Sequence, residues 1–263
     1  MKRILNKLII SVILAFSAFA SSIFPQTAYE IMKANQDLYK GDTAVYQMKM
    51  TLNSKGGKPR IREVAYYFKD YGTTDKTIMT FLTPKDVEGV GYLVWGYDEE
   101  GKDDDTWLYM PKSGKERRIS GSDKDNYFMG TDFTYDDIGD RDLTKEDFNL
   151  LGEESIEGNL CWKIECIPHD KTERSSRRIY WIRKDCYVCQ KGELYNRQNK
   201  LERVLTISDI SQIDGIWTAK KMFMENLASG HSTLMEVNNI TYNKPLSDSM
   251  FTVAELKKGH IGR

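Results

Sequence analysis

The sequence has few of the residue patterns that enzymes use. Its three histidines, His169, His231 and His260, lie far apart along the chain. It contains no G-x-S-x-G, no H-E-x-x-H and no phosphate-binding P-loop motif. The sequence therefore indicates a protein that is not an enzyme and that binds no cofactor or metal.

Neither sign of charge dominates the composition. The chain has 38 Lys and Arg against 39 Asp and Glu, which gives a formal net charge of −1. Loss of an N-terminal segment carrying Lys2, Arg3 and Lys7 would remove three positive charges from −1 and leave −4. A balance of this kind argues against a nucleic-acid partner, because such partners are bound by clustered positive charge.

Long apolar runs are missing except at the N-terminus. Residues 1–20 have a basic start, an apolar stretch from Leu8 to Phe19, and Ala18-Phe19-Ala20 as a small-x-small cleavage site. This pattern predicts a signal peptide cleaved after Ala20, the alternative being an uncleaved anchor. No cysteine lies near the cleavage site, so we expect an exported protein without a lipid anchor.

Residues 21–263 have no low-complexity linker and predict a single, mainly β domain. A helix is expected within Ser21–Gly41, capped by Thr27 and ended by Gly41. A short helix is also expected within Asp140–Leu151, and another within Ser247–Lys258. Period-two alternation predicts about eleven strands, and so long an antiparallel sheet must curl beneath a few helices. The predicted strands are Tyr46–Leu52, Val64–Phe68, Lys76–Leu82, Gly89–Tyr97, Thr106–Met110, Cys161–Ile167, Arg178–Arg183, Val188–Tyr195, Leu201–Ile210, Thr218–Asn226 and Thr233–Tyr242.

The segment Phe128–Ile138 follows neither a helical nor a strand period. It mixes large apolar side chains with Gly130 and three carboxylates. We interpret it as an ordered loop that ends in a short turn of helix, with its aromatic rings covering an apolar surface or cavity.

The run from Thr106 to Ile138, TWLYMPKSGKERRISGSDKDNYFMGTDFTYDDI, resembles the signature of periplasmic outer-membrane lipoprotein-sorting proteins, a branch of the LolA/LolB-like superfamily. Trp107–Pro111, Arg117–Ile119 and the Phe128–Ile138 run match that signature in order and spacing. A looser resemblance extends from about Ala28 to Leu256. It implies a LolA-like fold, an unclosed β-barrel covered by helices, and a periplasmic location.

The resemblance leaves two functions open. The first is a carrier that shields lipid or lipoprotein acyl chains in an apolar cavity during transfer toward the outer membrane. The second is a binding module that docks on an inner-membrane export pump and moves no cargo. We expect a monomer in either case.

Candidate lipid-binding residues are the aromatic and methionine side chains expected on the inward faces and in the central loop, where they line a cavity or form a packed core. Four charged residues are candidates to anchor the loop as a lid or to meet a lipid headgroup: Arg117, Arg118, Asp132 and Asp136. The cavity and lid candidates are Met48, Met50, Tyr66, Phe68, Phe81, Trp95, Trp107, Tyr109, Phe128, Met129, Phe133 and Tyr135.

The four cysteines are Cys161, Cys166, Cys186 and Cys189. The spacing of the first two is wrong for a zinc knuckle, and Cys186-x-x-Cys189 lies in a β run rather than at a thioredoxin-like turn. An even count in an oxidising compartment favours a disulfide, for example from Cys166 to Cys186 or Cys189, with buried free thiols as the alternative.

Overall fold

A computed structural model describes residues 26–259, so the predicted signal peptide at residues 1–20 lies outside the described part. Three short α-helices, α1 to α3, span Ala28–Gln36, Tyr135–Ile138 and Val253–Leu256. Short 3₁₀ helices span Gly121–Asp125, Phe128–Gly130, Leu143–Lys145 and Asp248–Phe251. The strands, β1 to β13 in chain order, are Thr43–Asn53, Arg60–Asp70, Thr74–Thr83, Gly91–Tyr97, Asp105–Met110, Lys115–Ile119, Glu146–Ile156, Asn159–Pro168, Ser175–Arg183, Cys189–Asn196, Leu201–Ile213, Ile216–Asn226 and His231–Tyr242.

All of these strands form one antiparallel sheet in the order β6-β5-β4-β3-β2-β1-β13-β12-β11-β10-β9-β8-β7. The sheet is unclosed, because β6 and β7 each pair on one side only among the described residues. Residues 120–145 join these two edges. The main core unites side chains from both halves of the sheet with this connection, so the sheet curls around it.

The predicted fold class is confirmed, but the expected count of about eleven strands is wrong, because the sheet has 13. Both additional strands are the sheet edges. β6 has the sequence KERRI and exposes four of its five residues, and β7 is also mostly exposed. Edge strands often carry charge and lack a buried face, so they give no apolar alternation. Within Asp140–Leu151, where the sequence predicts a short helix, the structure has only the 3₁₀ turn Leu143–Lys145, and β7 occupies the second half of the range.

Helix α1 begins where the sequence predicts. Thr27 forms a capping box with Glu30, in which each side chain bonds the other residue's backbone N–H. The helix ends at Gln36 with Asp37 as its C-cap rather than at Gly41, which adopts a left-handed φ of 84° beyond it. The buried Ile31 and Met32 pack toward β8 and β9. The closing helical segment is confirmed by α3 and the 3₁₀ turn before it.

The first strands are covered on both faces. Their inner face contributes Val64, Phe81 and Tyr92 to the main core. Their outer face carries Ile78 and Leu93, which pack under the C-terminal Phe251 and Leu256. Three aromatics expected on the inner face, Trp95, Trp107 and Tyr109, lie in this outer cluster instead. Period two separates the faces of a strand, but it does not tell which face is inside when both are buried.

Within residues 26–259, no helix has both the length and the apolar character needed to cross a membrane.

Candidate functional site

The segment Phe128–Ile138, here called the plug, crosses the inside of the curled sheet. Its 3₁₀ turn places Met129 and Gly130 in the left-handed region at φ 49° and 72°. The turn is closed by a hydrogen bond of 2.7 Å from the Phe128 N–H to the Phe133 carbonyl. Helix α2 follows, with Thr134 and Asp137 forming a second capping box. The predicted loop ending in a turn of helix is confirmed.

The apolar side of the plug is part of the core. Phe128 is 0% exposed and meets the rings of Tyr92 and Tyr135 edge-on at centroid distances of 5.2 and 5.5 Å. Phe81 of β3 lies 6.0 Å away on its other side. Such ring pairs add specific contacts to the large area that they bury. The plug is therefore a packed element of the fold.

The polar side of the plug is bound to β13. Asp132 is 3% exposed and accepts a hydrogen bond of 2.7 Å from the Thr233 hydroxyl. His231 Nδ1 lies 2.6 Å from the same carboxylate oxygen, and the Asp132 N–H donates to the Thr233 hydroxyl. A buried carboxylate of this kind is stable only with such partners.

Two buried arginines fix the plug from other strands. Arg203 of β11 donates to the Asp132 carbonyl at 2.9 Å and pairs with the Asp137 carboxylate. Arg62 of β2 donates to the Met129 carbonyl. Burial alone would lower the pKa of Arg203, but Asp137 raises it above its usual range. The plug is thus held from β2, β11 and β13, on both halves of the sheet.

A second ion-pair network lies where the plug meets β7. Arg141 pairs with Asp136, Glu146 and Glu173, and the buried Arg178 pairs with Glu173 at 2.7 Å. Burial alone would raise the pKa of Glu173, but the two arginines hold it below its usual value. This network fixes the rim of the cavity described next.

A half-open cavity of about 250 Å³ lies between α1, the plug and strands β9 to β12. Its volume is just below the roughly 300 Å³ at which pockets for small ligands usually begin. Of its six charged lining residues, Lys40 follows α1 and the other five lie on or after the plug. The apolar and aromatic residues that line it are Met32, Phe133, Leu143, Tyr180, Ile182, Leu194, Leu205 and Met224.

Gly192 makes room for the Tyr180 ring, which lines the cavity. Across the inner face, register places Tyr180, Gly192, Leu205 and Met224 side by side on β9 to β12. A Cβ atom on Gly192 would lie 2.9 and 3.0 Å from two ring atoms of Tyr180 and 3.4 Å from Leu205 Cβ. The Tyr180 ring therefore leans over the glycine toward β11. The ring occupies the space that a side chain at position 192 would need, so a larger residue there must displace it.

A larger polar vestibule of about 720 Å³ lies beside the cavity. Fourteen carboxylate residues and seven Lys or Arg residues line it among the described residues, a formal balance of −7 in a chain whose total is −1. The two spaces adjoin each other, since six residues line both: Gln36, Lys40, Asp136, Asp140, Arg141 and Leu143.

Two vestibule carboxylates are held in an unfavourable charged state. Burial raises the pKa of Asp75 to about 6, with Asp140 adding to the shift and Lys40 opposing it. Burial and Asp140 likewise raise the pKa of Asp104 to about 6. Between about pH 4 and pH 6 the folded state keeps protons that the unfolded chain has released, so these two groups lower stability as the pH rises.

We expect Asp104→Asn to raise the free energy of unfolding at neutral pH by about 1–2 kcal/mol, since it removes the cost of the buried charge. The gain should fall as the pH is lowered and vanish at about pH 2–3, where the parent carboxyl is protonated in both states. Asp103→Asn is the matched control, because a hydrogen bond from Lys145 lowers the pKa of that carboxyl. Urea denaturation at both pH values measures these free energies of unfolding. If Asp104→Asn stabilises the protein at neutral pH no more than Asp103→Asn does, or destabilises it, the prediction is wrong.

The structure distributes the predicted cavity residues among several places. Phe133 lines the 250 Å³ cavity, and Phe68 lines the vestibule. The others of the inner face pack in or against the main core: Met48, Met50, Tyr66, Phe81, Phe128, Met129 and Tyr135. Sequence reasoning missed Tyr180, Leu194, Leu205 and Met224, although each lies in a predicted strand, because their convergence depends on register.

Of the four charged residues predicted to anchor the plug, only the two carboxylates do so through buried contacts. Asp132 and Asp136 do hold the plug, but through His231, Thr233 and Arg141. Arg118 lies on the exposed edge strand β6 and pairs with Asp105. Its neighbour Arg117 lies 3.9 Å from Asp123 and contacts the Tyr135 side chain. Neither arginine reaches Asp132 or Asp136. The basic residues that contact these two carboxylates lie on the inner face of the sheet and in the loop after the plug.

All four cysteines are free thiols in the structure. Cys166 lies on β8 and Cys189 on β10, with β9 between them. Two strand spacings are about 10 Å, which exceeds the roughly 7 Å limit of Cα separation for a disulfide. The suggested bridge from Cys166 to Cys189 is therefore wrong for this topology. Burial raises the pKa of Cys189, which lines the cavity, to about 12.

Residues 26–259 contain no group of three or more His, Cys, Asp or Glu side chains arranged to hold a metal ion.

Comparisons with known proteins agree with this architecture. A family model described as "uncharacterized protein" matches residues 73–258. The chain is 32% identical to a DUF1329 family protein from Desulfovibrio piger, with a TM-score of 0.80 over 87% of this chain and 97% of that one. It is 29% identical to a proposed outer membrane lipoprotein-sorting protein domain from Vibrio parahaemolyticus, with a TM-score of 0.80 over 88% and 98% of the two chains.

A more distant structure shares the fold. A LolA superfamily protein from Nitrosomonas europaea is 19% identical, with a TM-score of 0.64 over 87% of this chain and 99% of that one. A search of curated proteins gave no match. On the identity and coverage of the D. piger protein, the chain belongs to the DUF1329 family, and its fold is that of LolA-like lipoprotein-sorting proteins.

Proposed function

We propose that the protein is a periplasmic carrier that shields an acyl chain of a lipid or lipoprotein during transfer toward the outer membrane. One observation carries the proposal: a mainly apolar cavity adjoins a charged vestibule, and six residues line both. This arrangement matches an amphiphile, whose chain enters the cavity while its polar end stays in the vestibule. The similarity to a proposed lipoprotein-sorting domain also supports a carrier function.

The size of the cavity limits what is held. A volume of about 250 Å³ takes part of one chain rather than a whole lipid. Each buried methylene contributes about 0.8 kcal/mol, so a short stretch of chain already gives useful affinity without a specific contact. Release then requires only that the chain be withdrawn, because no charged group of the protein is neutralised inside.

Native mass spectrometry of the mature protein, purified from its exporting cell without detergent, tests the carrier directly. We expect a fraction of the monomer to carry bound lipid, and the empty fraction to take up a fluorescent fatty acid. A protein that stays empty even when lipid is offered would overturn the carrier proposal in favour of a module that docks on an export pump.

A cavity-filling variant assigns the binding to this cavity. In Gly192→Val the new side chain must displace the Tyr180 ring, and we expect the displaced ring to take up part of the cavity that it lines. Loss of room for about two methylenes costs about 1.6 kcal/mol, so we expect fatty-acid affinity to fall about tenfold. Fluorescence titration measures it.

Ser208→Val on β11, where neither cavity reaches, is the matched control and should bind as the parent does. Circular dichroism confirms that both variants fold. Unchanged affinity in folded Gly192→Val would place the acyl chain elsewhere.

A further inference from the structure

The hydroxyl of Tyr180 is unusual among the tyrosines of the inner face. Most buried tyrosine hydroxyls find a partner, as those of Tyr66, Tyr127 and Tyr242 do with Thr77, Asn226 and Thr218. Within residues 26–259, no hydrogen bond is made by the Tyr180 hydroxyl. It is also not sealed away in the packed core, because Tyr180 lines the cavity.

The surroundings keep this hydroxyl a donor. Burial raises the pKa of Tyr180 well above its usual range, so the O–H stays protonated. The position of the ring is fixed by the missing side chain of Gly192, over which it leans. A donor held in an otherwise apolar cavity loses its hydrogen bonds to water whenever a hydrocarbon chain fills the space.

Tyr180 lies near the place where the cavity adjoins the vestibule. Arg178 lies two residues before Tyr180 on β9 and therefore on the same face of the sheet. It pairs with Glu173, which lines the vestibule. Tyr180 therefore stands near the boundary between the apolar space and the polar one. In an acylated molecule bound across that boundary, the group at this level is the carbonyl that joins the chain to its head.

We propose that Tyr180 is a specificity-determining residue that donates a hydrogen bond to the ester or amide carbonyl of the bound acyl group. This inference rests on the proposed carrier function and adds the substrate class. The protein selects O-acyl or N-acyl amphiphiles over molecules with the same chain but no carbonyl. Selection follows because a ligand lacking the acceptor leaves the phenol unpaired in an apolar site.

The test compares two surfactants of equal chain length, dodecanoyl sucrose with an ester carbonyl and dodecyl maltoside with an ether link. Each displaces a fluorescent fatty acid from the full protein below its micelle concentration. We expect the parent to prefer the ester by about fivefold or more, the effect of one hydrogen bond. Tyr180→Phe removes only the hydroxyl and should lose this preference, with ether binding unchanged.

Tyr71→Phe is the matched control, because its hydroxyl bonds Asp248 away from both cavities. It should keep the parent's preference. If both surfactants bind and the preference is absent in the parent or survives in Tyr180→Phe, the role of Tyr180 is wrong while the carrier stands. If neither surfactant binds the parent, the proposed function itself fails, and this inference with it.

Two further ligands distinguish the source of the acyl group. An N-dodecanoyl peptide represents a lipoprotein, and a dodecanoyl lysophospholipid represents a free lipid. For either ligand, an affinity that falls about fivefold in Tyr180→Phe supports the inference. The ligand that binds the parent more tightly indicates whether the acyl group comes from a lipoprotein or from a free lipid. Equal binding of both ligands by parent and Tyr180→Phe would overturn it.

Discussion

Arg203→Met is expected to lower the free energy of unfolding by about 3–5 kcal/mol, the usual result of removing one partner of a buried ion pair. Arg203 is 1% exposed, and its guanidinium holds both the Asp132 carbonyl and the Asp137 carboxylate. Methionine fills similar space but leaves Asp137 without its cation in a poorly solvated site. Urea denaturation of parent and variant measures the loss.

A second substitution separates charge from packing. Asp137→Asn removes the negative charge but keeps an oxygen that can accept the Thr134 N–H. In the Arg203→Met background it should recover at least about 1 kcal/mol, because no unpaired charge remains buried. No recovery would mean that Arg203 acts through packing alone.

Arg118→Met is the matched control on the surface. Arg118 is 60% exposed and pairs with Asp105, so its loss should cost less than about 1 kcal/mol. The comparison also decides which arginine anchors the plug: Arg118, as predicted from the sequence, or Arg203, as the structure indicates. Equal destabilisation by Arg118→Met and Arg203→Met would contradict the assignment of the plug's support to the inner face.

Phe133→Asp is expected to abolish fatty-acid binding, with affinity falling at least about a hundredfold. Phe133 is 4% exposed and lines the cavity beside Asp136 and Asp137. An added carboxylate there would face both an apolar chain and the like charges of Asp136 and Asp137, and burying an unpaired charge costs several kcal/mol. Fluorescence titration gives the affinity, and circular dichroism gives the folded fraction.

Phe133→Leu keeps the position apolar and guards against loss of folding. It should fold and bind within about threefold of the parent, since one hydrophobic group replaces another. If Phe133→Asp folds and binds as the parent does, the plug is only a structural core element and the chain lies elsewhere. If Phe133→Asp does not fold, the folded Phe133→Leu decides: an affinity far more than threefold weaker would contradict the expectation that an apolar side chain suffices at this position.

Local signals in the sequence determined much of the architecture. Alternation in segments such as Met48–Leu52 and Val64–Phe68 predicted strands, because one face of each must be buried. Thr27 predicted the start of α1, because its hydroxyl satisfies a backbone N–H group only a few residues away. The signature ending at Ile138 identified the family, and the Gly130 segment was correctly interpreted as an ordered loop.

Only the tertiary structure decided which residues meet. The cavity exists because Tyr180, Gly192, Leu205 and Met224 fall into one row across four strands, which follows from register and not from any one strand's pattern. Asp132 meets His231 across a separation of 99 residues. Trp95 and Trp107 were assigned to the wrong face for a related reason, since both faces of the first strands are buried. The alternation in a sequence indicates which side chains are buried. The curl of the sheet decides which other residues they contact.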